Sequence, residues 1–436
     1  MVLLGQGSDG TIEGTIKDPT GAVIPGATMT IRNLDTNVPR TAITDSNGHF
    51  DVPALSAGNY EVNAEHEGFQ TESQRGIVLS VSQQEVINFT LAVGAATQVV
   101  EVSTLGSIIN TTDNAIGGLV GEHAIADLPL NGRNYVDLAL MQPGTDQDYA
   151  VGGTGGAGAS SFSTHGNTPW SNLFTLDGAI LNNALQLNSA SQTGSTLGLD
   201  GIQEFKIVGL PDASYGLVMG GQVVMASKGG TNQYHGNLFE YFRNAALDAR
   251  NYFDLGYLSG GRRIPNFVRN QFGGTFGGPI KKDKTFFWGV FESLRSATGA
   301  SVLDNVPAVG CHGAAGQTVW NGSGTQPAGS VGPCPALPSN TVIAPQIAPL
   351  LALYPLPNVG SGQFTFPASS YVTEYFGQMR VDHSISDKDS LFVRYTVDTG
   401  DISNNAAYPQ YLQTLPGTNQ FLTVGETHIF SPAVLK

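Results

Sequence analysis

The stretch Arg269 to Arg295, RNQFGGTFGGPIKKDKTFFWGVFESLR, constrains the fold more tightly than any other part of this chain. Lys281, Lys282, Asp283 and Lys284 mark a tight turn between two runs of strand-forming residues. Neighbouring residues of a strand point to opposite faces, so Phe286, Trp288 and Val290 share one face and Phe287, Gly289 and Phe291 the other. A sheet with one wet face does not usually carry bulky apolar groups on both sides. Each face of this hairpin therefore needs its own cover.

Composition limits what that cover can be. The 436 residues include 56 Gly and 23 Pro, only 13% are charged, and the net charge is −15. No basic field exists to neutralise phosphates, which excludes nucleic acid as a partner. Hydrophobic residues make up 40% of the chain and aromatic residues 9%, which argues against disorder. Short apolar segments punctuated by Gly, Asn, Asp and Pro indicate a mainly β protein. No apolar run reaches the ~18 residues of a transmembrane helix. The opening MVLLGQGSDG lacks the basic region and apolar length of a signal peptide, so either the chain is cytoplasmic or its natural N-terminus lies upstream.

Residues 233–436 show how both faces can be covered. Six strands are expected, at 236–243, 270–278, 285–295, 375–383, 390–398 and 420–430. Long connections at 244–269, 296–374 and 399–419 alternate with short turns at 279–284 and 384–389. Transmembrane β-barrels have this rhythm, and strands of about 9–11 residues suffice to cross. In the hairpin 375–396, Tyr375, Gly377, Met379, Val381, Leu391, Val393 and Tyr395 form a lipid-facing set. Phe376, Gln378, Arg380, Asp382, Phe392, Arg394 and Thr396 face a lumen. Phe286, Phe287, Trp288 and Phe291 are expected in an aromatic girdle at the membrane interface.

Residues 8–93 read as a small β-sandwich, with strands at 11–17, 28–33, 50–52, 60–64, 76–81 and 86–91. Asp18-Pro19-Thr20-Gly21 and Asp45-Ser46-Asn47-Gly48 are turns, and the second lacks the further ligands of a calcium loop. Residues 94–232 are of mixed character. A strand-like TQVVEV precedes a polar stretch, Asn134 is placed to cap a short helix, and FTLDGA, IQEFKIV and GGQVVMASKGGTN read as strands. The Gly/Ser-rich loop at 151–163 has no following Gly-Lys-Ser/Thr and is no phosphate cradle.

Cys311 and Cys334 lie in a Gly/Pro-rich loop with only His312 nearby. Zinc needs four ligands, so a disulfide is the expectation if the compartment is oxidising. The eight histidines are scattered, with no metal-binding helix pair and no nucleophile elbow. No catalytic residue, cofactor or metal site is assigned, and an enzyme is not expected.

The motifs GTIKDPTGAVIPGATMTI and TDSNGHFDVPALSAGNYEV resemble the carboxypeptidase regulatory-like, or transthyretin-like, domain, which is related to carbohydrate-binding folds. The order of that sandwich, LPLNGRN, LDGA, IQEFKI, GGQVVMASKGGTNQYHGNLFEYFRN and NQFGGTFGGPIKKDKTFFW resembles the TonB-dependent outer-membrane receptors, most closely the Oar-like subgroup. The resemblance implies a sandwich at 8–93, a small α+β plug at 94–232 and the first strands of a large antiparallel transmembrane barrel at 233–436. It also implies that the chain is part of a longer protein in the bacterial outer membrane, with the sandwich in the periplasm. The implied partners are TonB, outer-membrane lipid and an extracellular solute such as a carbohydrate or peptide. Thr97, Gln98, Val99, Val100, Glu101 and Val102 become the candidate TonB box, a loose match to an acidic-aliphatic strand. Arg133 in NGRN and Asp177 in LDGA become the polar plug residues of interest, for turn and lumen contacts ahead of ligand contact. The function this implies is TonB-energised uptake of a scarce solute. The alternative is a surface-interaction or secretion-linked protein whose sandwich binds carbohydrate or protein.

Overall fold

The computed structural model describes residues 8–94, 99–103, 116–127, 133–134, 136–147, 162–182, 198–211, 220–249, 266–335, 337–338, 341–405, 408–431 and 434–435. Two sheets form the N-terminal sandwich. Its strands are β1 (Gly10–Lys17), β2 (Thr28–Asn33), β3 (Pro39–Ile43), β4 (His49–Leu55), β5 (Gly58–Glu65), β6 (Thr71–Leu79), β7 (Gln84–Val86) and β8 (Phe89–Thr90), joined by β9 (Val99–Ser103). One sheet has the order β4-β1-β7 with β8 also on β1, and the other the order β3-β2-β5-β6-β9. Alternation in GTIEGTIK sends Ile12 and Ile16 into a core with Met29, Ile31, Phe50, Val62 and Phe89. Asp45 closes its turn by accepting from the backbone N–H groups of Asn47 and His49, as an ordinary Asx turn. The sequence reading passed over β3, a short edge strand that opens on a proline.

The central segment forms a second sheet. Its strands are β10 (Ile116–Val120), β11 (Thr145–Gln147), β12 (Phe162–Thr164), β13 (Leu173–Leu176), β14 (Ala179–Ile180), β15 (Ile202–Leu210) and β16 (Gln222–Ser227), with helices α1 (Glu122–Asp127) and α2 (Val136–Ala139). Five of these strands line up as β10-β15-β16-β13-β14. Leu138, Phe162, Phe174, Phe205, Ile207 and Met225 fill its core. The expected loop at 151–163 falls almost entirely outside the described residues.

The remaining strands build one antiparallel wall. They are β17 (His235–Asn244), β18 (Phe267–Lys281), β19 (Thr285–Asn305), β22 (Gln363–Ser386), β23 (Asp389–Asn405), β24 (Leu412–Ser431) and the short β25 (Val434–Leu435); β20 (Thr318–Val319) and β21 (Thr341–Val342) lie in the connection between β19 and β22. Each wall strand neighbours the next in sequence. The strands run further than expected. β19 and β22 stay paired out to Asn305 and Gln363, so both ends of the expected loop at 296–374 are sheet. A strand of 21 residues reaches on the order of 70 Å, well past a bilayer core of about 30 Å. Beyond the membrane both faces are wet, and the apolar alternation that signals a strand fades. Between β19 and β22, Cys311 and Cys334 are joined in a disulfide, packed with Val319 and Ile343.

The wall answers the puzzle of the two-sided hairpin. Phe287 and Phe291 lie on the outer face, whereas Phe286, Trp288 and Val290 are buried on the inner face. Phe286 and Trp288 therefore do not belong to an outer aromatic girdle, because strand alternation turns them inward. Trp288 lies across Gly277, where a Cβ would come within 2.2 Å of its ring, and reaches His235 at 4.9 Å between centroids. On the outer face Leu238, Phe242, Phe276, Leu422 and Val424 are exposed, an apolar surface that suits lipid.

The hairpin of β22 and β23 separates its faces cleanly: Met379 and Val393 are 46% and 37% exposed, Gln378 and Arg394 only 6% and 1%. In the complete barrel, Met379→Lys is expected to cost about 2–4 kcal/mol if the position lies near the bilayer midplane. Gln378→Lys should cost far less, because that face meets polar groups. Heat-resistant folding in membranes measures both; equal tolerance would remove the lipid face from this strand.

Candidate functional site

Among the described residues, several buried charged groups meet where the central segment faces the inner side of the wall. Register places Arg380 of β22 directly opposite Arg394 of β23. Two like charges facing each other across a sheet repel and need a counter-ion. Asp177 supplies it. LDGA forms a two-residue turn with both Asp177 and Gly178 at positive φ, 49° and 77°, matching a type I′ hairpin between β13 and β14. From that turn the Asp177 carboxylate lies 3.0 Å from Arg394 Nε and 3.2 Å from Arg380 Nη1. It also accepts from Ser227 N and Ser227 Oγ, at 2.9 and 2.7 Å. Arg380 is held on its other side by Asp382 at 2.8 Å, and Arg394 donates to the Leu176 carbonyl and to Thr423 Oγ1.

A second buried cluster joins the same two partners. Arg133, at φ 56°, donates to Asp200 at 2.6 Å and approaches Glu292 of β19 at 3.5 Å. Its guanidinium lies 4.0 Å above the Phe239 ring of β17, a cation–π contact. Glu292 has no exposed surface and accepts from Gly198 N and Gln271 Nε2, at 2.8 and 2.7 Å. Arg133 and Asp177, singled out in the sequence, thus each hold the central segment to the wall. Arg380 and Arg394 were visible in sequence only as lumen-facing residues, and their opposition required the register. Glu292 was missed, although a lone carboxylate in the inward row Trp288, Val290, Glu292, Leu294 was a usable signal.

The sandwich docks on both. Arg40 donates to the Asp387 carbonyl and to Ser390 Oγ at the turn end of the wall, each at 3.1 Å. Asn37 donates to Asp283 at 3.0 Å, and Asn232 donates to the Thr36 carbonyl at 2.6 Å. Val81 packs with Val208, Val224 and Ala226 of the central sheet. Beside that contact Val81 N–H donates to the Glu204 carboxylate. A cavity of about 390 Å³ remains at this junction, bordered by Asp9, Arg40, Tyr60, Asp177, Arg380 and Asp382.

Of the candidate TonB box, Thr97 and Gln98 lie outside the described residues. Val99, Val100, Glu101 and Val102 belong to β9, which pairs in parallel with β6 of the sandwich. At the turn end of the wall, Asp389, Glu426 and His428 bring one donor atom each within 4.8 Å, a group able to hold a metal ion. His428 Nδ1 and Asp389 Oδ1 contact each other directly.

Comparison with known proteins fits this architecture. Residues 226–436 match the outer membrane beta barrel domain family, and residues 11–92 the carboxypeptidase regulatory-like domain family. The chain thus carries an outer-membrane β-barrel domain behind a carboxypeptidase regulatory-like domain, and its place is the outer membrane. It is a homologue of the TonB-dependent transporter Oar of Myxococcus xanthus, 26% identical over 297 residues, which are 64% of this chain and 26% of that protein. The chain thus spans about a quarter of this curated relative. Among solved structures, one from Bacteroides uniformis ATCC 8492 covers 20% of this chain and 42% of its own at 23% identity, with a TM-score of 0.18. The Bacillus anthracis TIE protein covers 20% of this chain and 17% of its own at 17% identity, with a TM-score of 0.17. At these scores the likenesses carry no functional argument.

Removing the Asp177 counter-ion is expected to be costly. Asp177→Ala leaves two opposed, buried guanidinium groups and should destabilise by about 3–5 kcal/mol, the usual cost of breaking a buried pair. Limited proteolysis of membranes should then cut the central segment faster. Adding Arg394→Leu should cost less than the sum of the two single changes, since the repulsion goes with it.

Docking of the sandwich should depend on pH through Glu204. Burial raises its pKa to about 7, against hydrogen bonds from Val81 and Ser80. A carboxyl whose folded pKa is raised stabilises the docked form fully below its free value of about 4.3. That contribution is lost as pH rises through about 7. Amide exchange around Val81 should therefore quicken between pH 5 and 8 beyond the intrinsic rate, and Glu204→Gln should flatten the trend.

Proposed function

We propose that this chain belongs to a transporter that takes up a scarce polar solute across the outer membrane, using energy delivered by TonB. In this reading the central segment is the plug of the barrel lumen and the sandwich stands in the periplasm. The observation that carries it is the nature of the contact between central segment and wall. Asp177 and Arg133 bind the wall through charged groups, and such pairs can exchange for water when the segment moves. A segment that had to stay put would be better held by apolar packing.

TonB would act by strand addition to the segment around 97–102, pairing backbone to backbone. Homology to a TonB-dependent transporter supports that partner. Wall strands that extend well beyond the bilayer would give an external solute, such as a carbohydrate or peptide, a deep polar vestibule.

Cells carrying the complete protein should accumulate the solute only when TonB is present, and surface binding should persist without it. Val100→Pro, which removes one backbone donor, should lower uptake while membrane insertion and solute binding remain. Unchanged uptake in the Pro variant would move the pairing segment elsewhere; equal uptake with and without TonB would overturn energised transport.

A further inference from the structure

The strand offered to TonB in this reading is already paired. β9 runs parallel to β6 in a one-to-one register, Thr71 with Val99, Glu72 with Val100, Ser73 with Glu101, Gln74 with Val102 and Arg75 with Ser103. It forms the last strand of the sheet β3-β2-β5-β6-β9. We propose that the sandwich works as a clasp: β6 stores the segment 99–103, and a pull on that segment reaches the central segment only after β9 has left β6.

The path of the load carries the inference. While β9 stays on β6, a pull passes into the sandwich sheet. The sandwich is in turn fastened to the wall, through Arg40 to Asp387 and Ser390 and through Asn37 to Asp283. The wall is a continuous hydrogen-bonded sheet, so the load ends there. Chain beyond β9 leads to β10, the edge strand of the central sheet that carries the Asp177 turn. A pull on 99–103 enters that route only once β9 has left β6.

The pairing is built to open. It is five residues long, it lies at a sheet edge, and it is parallel, the slightly weaker geometry per residue. β5 and β6 pair in antiparallel fashion over a longer stretch, so the sandwich keeps its fold when β9 leaves. Storage also covers the β6 edge, which would otherwise be open to pairing with other chains. A partner strand that pairs with 99–103 and pulls thus replaces one edge contact with another.

The clasp rests on the transporter reading, and one experiment separates the two. In the complete protein, Ser73→Cys with Glu101→Cys places a thiol on each strand at paired positions. Oxidation should lower TonB-dependent uptake to the level of cells lacking TonB, with solute binding unchanged, and reductant should restore it. Ser73→Cys alone should behave like the natural protein under both conditions. On the natural protein, addition of the TonB C-terminal domain should speed amide exchange in 71–75. Full uptake by the verified cross-linked form, or unchanged exchange in β6 on TonB binding, would overturn the clasp. Uptake by the natural protein that ignores TonB would overturn the transporter reading and the clasp together.

Discussion

Two arginines that face each other across neighbouring strands set the terms for this molecule. Arg380 and Arg394 cannot share the inner face of the wall without an anion between them, and the wall's own Asp382 reaches only Arg380. Asp177 therefore has to come from outside the sheet, on a turn whose backbone shape is fixed by two residues at positive φ. That one requirement positions β13 and β14 against the wall, and the rest of the central sheet follows by pairing. Arg133 repeats the logic in reverse. There the wall presents the buried carboxylate, Glu292, and the central segment brings the cation.

Much of this architecture was legible in the sequence. The alternation from Tyr375 to Thr396 gave the two faces of the hairpin, because a residue's face depends on parity alone. The turn residues of the sandwich were readable for the same local reason. Strand ends were less visible, since Ser296 to Asn305 carries no apolar stripe and is set by pairing with 363–372 along its whole length and with β18 as far as Thr298. β3 was hidden by its opening proline. The inward turn of Phe286 and Trp288 was present in the alternation, but an aromatic-rich strand suggested a girdle on both sides.

The site was legible in its types of residue and not in its pairings. Asp177 and Arg133 stood out as polar residues in turn motifs. Their partners lie 203 residues away at Arg380 and 67 away at Asp200, and no local pattern links such positions. Glu204 was invisible as a special carboxylate, because its burial depends on the sandwich resting against the central sheet. The docked state of β9 was equally out of reach. Its sequence indicated an extended segment, and only the fold shows which edge receives it.

The order of these parts along the chain bears on assembly. Asp177 and Arg133 are made before every strand of the wall, so the template for the inner face is synthesised first. A wall forming without it would meet the Arg380–Arg394 repulsion and the unpaired charge of Glu292 as soon as β19, β22 and β23 came together. Closure of those strands is cheapest around a central segment that is already in place. Chain order and electrostatics thus favour a wall that assembles against a central segment already in place, so that its buried charges meet their partners as the strands come together.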